Sequence, residues 1–447
     1  MLRQILTTFL SLVLGAGFLS AQVSNSDIWS LRRCLEYAKE SNIQLKQAEL
    51  NVESGEIALA QSKAQRLPNM NFGGNYGLRF GLFEDPLTNT LSNTNVRNFD
   101  IGLSSRVDLY RAGAISNGIK QSQIDLEANQ ADLTQQEYDL ALDITLAYLT
   151  ILQRSDLLES SLLQISSTRE QRDRTEKLVD AGSLARADLL QLESQIATEE
   201  VNVVNATNNL ELGYLALQQL LNLDPDERFS IEKLDLPDPE GDFLDAVTEE
   251  VYEFAEANQP FIRSAELNVE SAKLGIKIAE SDRIPSLSLS GNYGTGYSSR
   301  AEDITGEGVG GQFSVNRSGS VTLGLSVPIY NRRSVQSNVE RAVITYKNAQ
   351  FTSDLRKQNL RQTIEQAYVD LKNAYSTYNS TVKQVDALDL AFNNTEKQFN
   401  LGVVNSVDYL LAKNNLNRAR FDLVRAKYTY IFRQKVLDFY QGKPIGF

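Results

Sequence analysis

The residues in this sequence that could do chemistry are acids, because the usual catalytic and metal-binding side chains are scarce. The chain of 447 residues has no histidine and one cysteine, Cys34. Histidine is the commonest general base and metal ligand, and a single cysteine cannot form an internal disulfide or a cysteine-rich metal site. No Gly-x4-Gly-Lys-Ser/Thr phosphate-binding loop occurs. The sequence therefore predicts no catalytic residue, no cofactor and no metal site. An exported glycosidase with paired carboxylates is a weak alternative, because no aromatic-rich cleft is visible.

Two aspartates recur in the same context and are the strongest candidates for a functional site. Asp188 and Asp408 each lie six positions after a glycine, Gly182 or Gly402, and a hydrophobic residue follows each acid. If several copies of the chain brought such an acid close together, for which Asp408 is the best single candidate, the ionised carboxylates would repel one another and could bind a cation. The alternative is a structural role, in which the glycine ends one helix and the aspartate caps the next.

The two glycine–aspartate segments belong to a tandem repeat. Residues 48–77 and 265–294 share the strings AELNVES and GNYG at a constant offset, and the similarity continues to the end of each copy. Internal repeats of this kind indicate two copies of one structural unit. The predicted organisation is a signal peptide over 1–21, a first repeat over 22–221, a linker or strap over 222–245, and a second repeat over 246–447.

The predicted signal peptide has a positive residue, an apolar run and a small-residue cleavage site, which indicates an exported protein. The mature chain is expected to begin near Gln22. The formal net charge of −13 does not favour nucleic-acid binding.

Each repeat has the same order of elements. A helix over 31–66 stops before Pro68, two strands follow, and a proline-free helical pattern then leads to the glycine turn. A helix of about 64 residues would span about 95 Å, so a coiled coil is expected. The predicted strands are about 69–80, 99–110, 286–297 and 319–330, the long helices are about 116–180 and 334–399, and the polar loops between strands are 81–97 and 298–317.

The strands predict a membrane sheet. Their apolar residues alternate with small or polar ones, and strands of about ten residues suit a tilted outer-membrane strand. In the last strand the expected lipid-facing residues are Val321, Leu323, Leu325, Val327 and Ile329. A sheet of four strands cannot lie open in lipid, and closure needs at least eight strands, so several chains must share one barrel. The alternatives are a half-buried soluble sheet and a solid helical bundle.

The repeat, the helix–proline–strand junctions and the two Gly-x5-Asp turns resemble the TolC-like outer-membrane efflux protein family over the whole mature chain. The resemblance implies a mainly α fold with a small β part, in which a homotrimer forms a twelve-stranded outer-membrane barrel and a periplasmic helical tunnel. It also implies an exit duct for efflux or type I secretion, with a periplasmic adaptor and an inner-membrane transporter as partners. The alternative function is a structural envelope coiled coil that does not conduct.

The resemblance assigns roles to the turns. Asp408 and Asp188 would lie at the periplasmic aperture, and loops 81–97 and 298–317 would face the cell exterior. The adaptor would contact the tips, which are Gly182, Ser183, Leu184, Gly402, Val403 and Val404. Some family members have a second acid three residues after the first, and an aromatic hydroxyl and an arginine that tether the closed state. The corresponding residues in this chain are Leu411, Phe399 and Val404.

Overall fold

The computed structural model describes residues 27–84, 89–93, 95–241 and 248–443. The predicted signal peptide lies outside these residues, as do parts of loop 81–97 and of the predicted linker. The fold is mainly helical with a small β part, as the sequence predicts. The helices are α1 (Leu31–Ser41), α2 (Ile43–Ala64), α3 (Ala114–Asp180), α4 (Arg186–Leu221), α5 (Thr248–Asn258), α6 (Pro260–Ser281), α7 (Ser299–Thr305), α8 (Val309–Val315), α9 (Ser334–Asn400) and α10 (Ser406–Tyr440). The strands are β1 (Asp27–Trp29), β2 (Asn69–Arg79), β3 (Leu82–Glu84), β4 (Leu91–Asn93), β5 (Val96–Tyr110), β6 (Phe229–Ile231), β7 (Ser286–Ser298) and β8 (Ser318–Ser326).

The described residues fall into two compact units. One unit, called the turn unit, contains the described residues of Met1–Ile43, Glu137–Thr248 and Glu365–Phe447. The other, called the sheet unit, contains those of Gln44–Gln136 and Glu249–Ile364. Helices α3 and α9 contribute residues to both units. None of the described helices is long enough and apolar enough to cross a lipid bilayer.

The core of the turn unit includes a short parallel strand pair that a buried tyrosine holds in place. Strands β1 and β6 pair in parallel, with Ile28 opposite Ser230. The hydroxyl of Tyr148, on α3, lies within hydrogen-bond distance of the carbonyl oxygens of Trp29, at 3.2 Å, and Glu232, at 2.8 Å. A fully buried tyrosine normally needs such a partner for its hydroxyl, so this contact fastens the segment after α4 to the long helix.

The first helical pattern of the sequence is interrupted, which corrects the single helix expected over 31–66. Helix α1 ends at Ser41, the backbone of the next residue, Asn42, is extended, and α2 begins at Ile43. The side chain of Asn42 donates to the carbonyl of Leu220 at 3.0 Å, and the hydroxyl of Ser41 donates to that of Leu221 at 2.7 Å. These carbonyls lie at the end of α4, where no intrahelical donor is available. The break therefore caps another helix.

The sheet unit contains an antiparallel four-stranded sheet in the order β2-β5-β7-β8. Directly opposite residues lie on the same face, so the pairs Phe72–Leu103, Leu103–Tyr293 and Leu289–Leu323 place large apolar side chains together. The other face carries small and polar residues. We call the face with the large apolar side chains the apolar face. Its apolar residues are Met70, Phe72, Tyr76, Leu78, Phe99, Ile101, Leu103, Val107, Leu287, Leu289, Tyr293, Val321, Leu323 and Leu325.

Two details of the sheet unit differ from the sequence prediction. Strand β8 ends at Ser326, four residues before the predicted limit, because Pro328 lacks a backbone N–H and restricts the residue before it. The segment 298–317, expected to be a loop, contains helices α7 and α8. The side-chain amide of Gln312 in α8 bonds both the N–H and the carbonyl of Ser298, at 2.9 and 3.1 Å, so it occupies the edge of β7 beyond the point where β8 begins.

Candidate functional site

The two glycine turns of the turn unit have the same backbone. Gly182 and Gly402 have φ values of 74° and 72°, in the left-handed region. After α3, Gly182 N–H bonds the carbonyl of Val179 and Ser183 N–H bonds that of Leu178. The same two bonds recur after α9, to Phe399 and Gln398. This pattern is a Schellman motif, which satisfies the last carbonyls of a helix. The predicted helix-ending role of both glycines is thus present in the structure.

The helices that follow the turns begin differently. At the start of α10 the side chain of Asn405 accepts a hydrogen bond from the N–H of Asp408 at 2.9 Å. At the start of α4 the equivalent residue is Ala185, which has no capping side chain. The expected alternative, in which the aspartates themselves cap the helices, is therefore wrong. Asp188 and Asp408 are the third residues of their helices, where a negative charge favours the positive end of the helix dipole.

Asp188 joins the two turns within the chain. Its carboxylate accepts a hydrogen bond from the hydroxyl of Ser406 at 2.5 Å and lies 3.4 Å from the backbone nitrogen of that residue. Ser406 is the first residue of α10 and is buried. The carboxylate therefore satisfies a free N–H at the start of the other helix, as a capping side chain would. The sequence analysis placed Asp188 at the aperture but did not predict this bond.

Asp408 is in a different environment, because it is exposed on the first turn of α10. The apolar residues around it are also exposed: Leu401 is 80% exposed and Val403 is 70% exposed. Of the residues predicted to contact an adaptor, Gly182, Ser183, Gly402 and Val403 are exposed, whereas Leu184 and Val404 are half-buried. The end of the second turn thus presents one acid among uncovered apolar side chains. The roles of these residues at an aperture and at an adaptor contact stay predictions.

An apolar cluster supports the second turn from inside. The rings of Phe399 and Tyr409 stack with centroids 4.8 Å apart, and Phe392 lies 5.7 Å from Tyr409. Leu192, from α4, and Val404 pack against this cluster. Two residues that replace the polar tether of some family members, Phe399 and Val404, are therefore part of a small core. Stacked aromatic pairs of this type contribute about 0.5–1.5 kcal/mol beyond their buried area.

Two buried charges in the turn unit were not singled out by the sequence analysis. The ammonium group of Lys413 donates to the hydroxyls of Thr168 at 2.8 Å and Ser167 at 3.3 Å. Burial lowers the pKa of Lys413, although three glutamates around it act in the opposite direction. One carboxylate oxygen of Glu199 accepts bonds from two glutamine amides at 2.9 Å, while the other is buried and has no hydrogen-bond partner among the described residues. The one sequence pattern that could have revealed these residues is a charged residue at a position where the helical periodicity predicts an apolar one.

The apolar face of the sheet is the second candidate functional surface. Val321, Leu323 and Leu325, predicted to face lipid, lie on β8 and are 80%, 62% and 68% exposed in the single chain. Val327 and Ile329 lie beyond the end of that strand and are also exposed. Exposed apolar side chains that lie together on one face of a sheet indicate contact with a membrane or with another protein. The contact of these residues with lipid stays a prediction.

The sequence and the fold are both similar to those of known outer membrane proteins. Residues 34–223 and 251–442 match the sequence model of a family described as outer membrane efflux protein. The chain is 24% identical to the outer membrane protein TolC of Escherichia coli (strain K12), over 93% of this chain and 83% of TolC. It is 24% identical to the outer membrane protein TolC of Vibrio cholerae, over 96% and 93% of the two chains. The solved structure of the outer membrane protein VceC of Vibrio cholerae has a TM-score of 0.74 at 17% identity, over 93% and 96% of the chains, which shows a shared fold.

Proposed function

The chain belongs to the outer membrane efflux protein family, and on that premise we propose how its two candidate surfaces work together. The protein is an exit duct of the outer membrane that serves efflux or type I secretion. The family match agrees with the resemblance predicted from the repeat and the glycine turns. A duct performs no reaction: it provides an aqueous path and opens at one end.

We propose that three copies of the chain close one barrel. The observation that carries this proposal is the sheet of four strands, which has an apolar face and two edge strands, β2 and β8, each paired on one side only within the described residues. An open edge cannot lie in hydrocarbon, because its backbone N–H and carbonyl groups would lose their hydrogen bonds. Four strands per chain reach a closed barrel only when copies are combined. The apolar face would then contact lipid.

We propose that the glycine turns form the periplasmic end of the duct. Exposed Val403 and Leu401 offer an apolar surface to a periplasmic adaptor, and Asp408 would line the mouth. Energy for transport would come from an inner-membrane transporter, since the sequence has no phosphate-binding loop of the Gly-x4-Gly-Lys-Ser/Thr type. The uncovered apolar residues at the turn support this role, because surfaces of this kind commonly mark protein contacts.

Single-channel recording tests the proposal directly. The full-length protein, purified in detergent and inserted into planar bilayers, should give discrete conductance steps, and native mass spectrometry should show a trimer. A stable monomer in detergent would contradict the shared barrel. A trimer that never conducts, even after the turns are loosened by Asp188→Ala, would instead favour the structural envelope protein.

A further inference from the structure

We propose that strand β8 of one copy pairs with strand β2 of the next copy in one defined register, in which Leu323 lies opposite Tyr76. The internal repeat of this chain indicates this register. The inference rests on the proposed closure by several copies and adds to it the residue pairs of the interface.

The two hairpins of the sheet have equivalent registers. In the first hairpin Asn69 pairs with Arg106, and in the second Ser286 pairs with Ser326. By the offset of the GNYG strings, Asn69 is the counterpart of Ser286. The match of the VDLY and VPIY strings makes Arg106 the counterpart of Ser326. The repeat thus extends from sequence to strand pairing, so a register seen in one copy can be transferred to the other.

The junction between the repeats exists inside the chain and serves as the template. Within the sheet, β5 is the last strand of the first repeat and β7 is the first strand of the second, and they pair with Leu103 opposite Tyr293 and Gly102 opposite Gly294. Where one chain meets the next, β8 is the last strand of a repeat and β2 is the first. If the ring is closed by equivalent junctions, β8 takes the place of β5 and β2 that of β7. Leu103 then corresponds to Leu323, and Tyr293 corresponds to Tyr76.

The transferred register is consistent along the whole interface. It extends from Gly319 opposite Phe80 to Ser326 opposite Gly73. Residues of the apolar face meet residues of the apolar face throughout, as the equivalent registers of the two hairpins require. A slip of one residue would place every apolar side chain of one strand on the polar face of the other. The pairs include Val321 with Leu78, Thr322 with Gly77, Leu323 with Tyr76, Gly324 with Asn75, and Leu325 with Gly74.

Glycine positions agree with the same junction. A Cβ atom added to Gly294 would lie 2.8 Å from the carbonyl oxygen of Ile101, so this position must stay glycine between β5 and β7. A Cβ atom added to its counterpart, Gly77, would meet nothing within 4 Å among the described residues of the single chain. Those residues give no steric reason for a glycine at position 77. Val321 of the neighbouring copy, which corresponds to Ile101, supplies that reason.

Disulfide trapping tests the register. Full-length Tyr76→Cys/Leu323→Cys protein in outer membranes, oxidised with copper phenanthroline, should give covalent dimers and trimers on a non-reducing denaturing gel. Directly opposite Cβ atoms lie about 4.5–5.5 Å apart and diagonal ones up to about 7–8 Å, whereas a disulfide needs about 3.5–4.5 Å. Tyr76→Cys with Val321→Cys, and Tyr76→Cys with Leu325→Cys, should therefore link poorly. Leu103→Cys/Tyr293→Cys is the matched control and should link within one chain. The native Cys34 is fully buried, and wild-type protein reports its background.

The outcomes separate the register from the proposed assembly. Stronger linking of a slipped pair than of Tyr76→Cys/Leu323→Cys would overturn the register and leave closure by copies standing. A trimer by native mass spectrometry without any intermolecular link would overturn the pairing of β8 with β2. A monomer would contradict the proposed function itself.

A glycine pair provides the second test. Gly77→Ser should fold as a chain and lose most of its trimer, measured as the heat-stable oligomer on gels and by native mass spectrometry. Gly73→Ser is the control, because its counterpart Ser290 already carries a side chain between β5 and β8. Neither glycine has a positive φ, so the change adds no backbone strain. Equal trimer yields for Gly77→Ser and Gly73→Ser would overturn the proposed register.

Discussion

The two glycine turns share a backbone and differ in what their side chains do. Both end a long helix with a left-handed glycine and the same pair of hydrogen bonds. In the first turn, Asp188 bonds Ser406 of the second turn, and Ala185 leaves its helix without a side-chain cap. In the second turn, Asn405 caps the helix and Asp408 is exposed. Both copies keep the same main-chain turn, whereas one of the equivalent aspartates has an internal hydrogen bond and the other has an exposed carboxylate.

The two buried charged residues, Lys413 and Glu199, also differ between the repeats. Lys413 corresponds to Glu193, which is exposed, and Glu199 corresponds to Ala419, which is buried. Each buried charge therefore exists in one repeat only. The two repeats are therefore not equivalent in their side-chain contacts. Equivalent substitutions in the two turns should have unequal effects.

The largest expected effect comes from bulk at the second turn. Gly402→Arg should abolish export while the trimer still assembles, because a side chain there would project into open space where a partner is proposed to dock. Gly402→Ala is the control: it carries the same left-handed strain, about 1–2 kcal/mol, without the bulk. Export assays and native mass spectrometry measure the two effects. If Gly402→Ala blocks export as fully as Gly402→Arg, backbone strain is the cause and the docking role is wrong.

The bond between the turns should be the next largest difference. A double-mutant cycle of Asp188→Ala and Ser406→Ala should give a coupling free energy of about 1–2 kcal/mol, since hydrogen bonds to charged groups are worth roughly 1.5–3 kcal/mol and this carboxylate is partly solvated. Chemical unfolding of the purified protein measures it. Asp408→Ala is the matched control and should show no coupling to Ser406→Ala. Equal coupling for both aspartates would remove the asymmetry between the turns.

Lys413→Met should change the stability of the turn unit in a pH-dependent way, because it removes a buried group that titrates. Burial lowers the pKa of Lys413 in the folded state. Between the lowered pKa and the ordinary 10.5 the unfolded chain binds more protons, so wild-type stability rises with pH. The free energy of unfolding of Lys413→Met relative to wild type should therefore decrease as the pH is raised from 7 to 10. Unfolding midpoints at the two pH values test this, and a relative stability that increases with pH would contradict it.

Exchange of the caps should produce two changes of opposite sign. Asn405→Ala should destabilise α10, and Ala185→Asn should stabilise α4, each by about 1 kcal/mol. Hydrogen exchange of the first-turn amides of each helix reports the change locally. A gain of protection in α4 and a loss in α10 are expected. Faster exchange in α4 after Ala185→Asn would show that the new side chain does not reach the free amides.

Asp408→Ala should have the smallest effect on stability, within about 0.5 kcal/mol, because the side chain is exposed. Its expected effect is on the mouth of the duct, where three carboxylates would attract multivalent cations. Block of single-channel conductance by such cations should weaken in Asp408→Ala and remain in Asp188→Ala. Unchanged block in Asp408→Ala would leave this acid with its helix-dipole role alone.

Local patterns account for much of the fold. The change from helical to alternating periodicity marks the strands within a few residues, and the proline-free stretch before Gly182 corresponds to a helix of 67 residues. Errors occurred where a side chain serves a distant partner. Asn42 lies at a break in a helical pattern, and its side chain caps α4. Gln312 lies on a helix within a segment that was expected to be a loop, and its side chain bonds the edge of β7. The true cap of α10 was readable in principle, since Asn405 lies three residues before Asp408 at a helix start.

The sequence by itself determined the duplication, the apolar face of the strands and the left-handed glycine turns. Each of these depends on residues a few positions apart, whose spacing and conformational limits act locally. Tertiary structure alone decided which aspartate bonds the other turn and which is exposed, because Asp188 and Ser406 are 218 residues apart in the chain. It also decided that Phe399 stacks on Tyr409 and that Lys413 is buried. A pattern along one helix shows which face is apolar, but the partner of a polar group depends on which other helix packs against it.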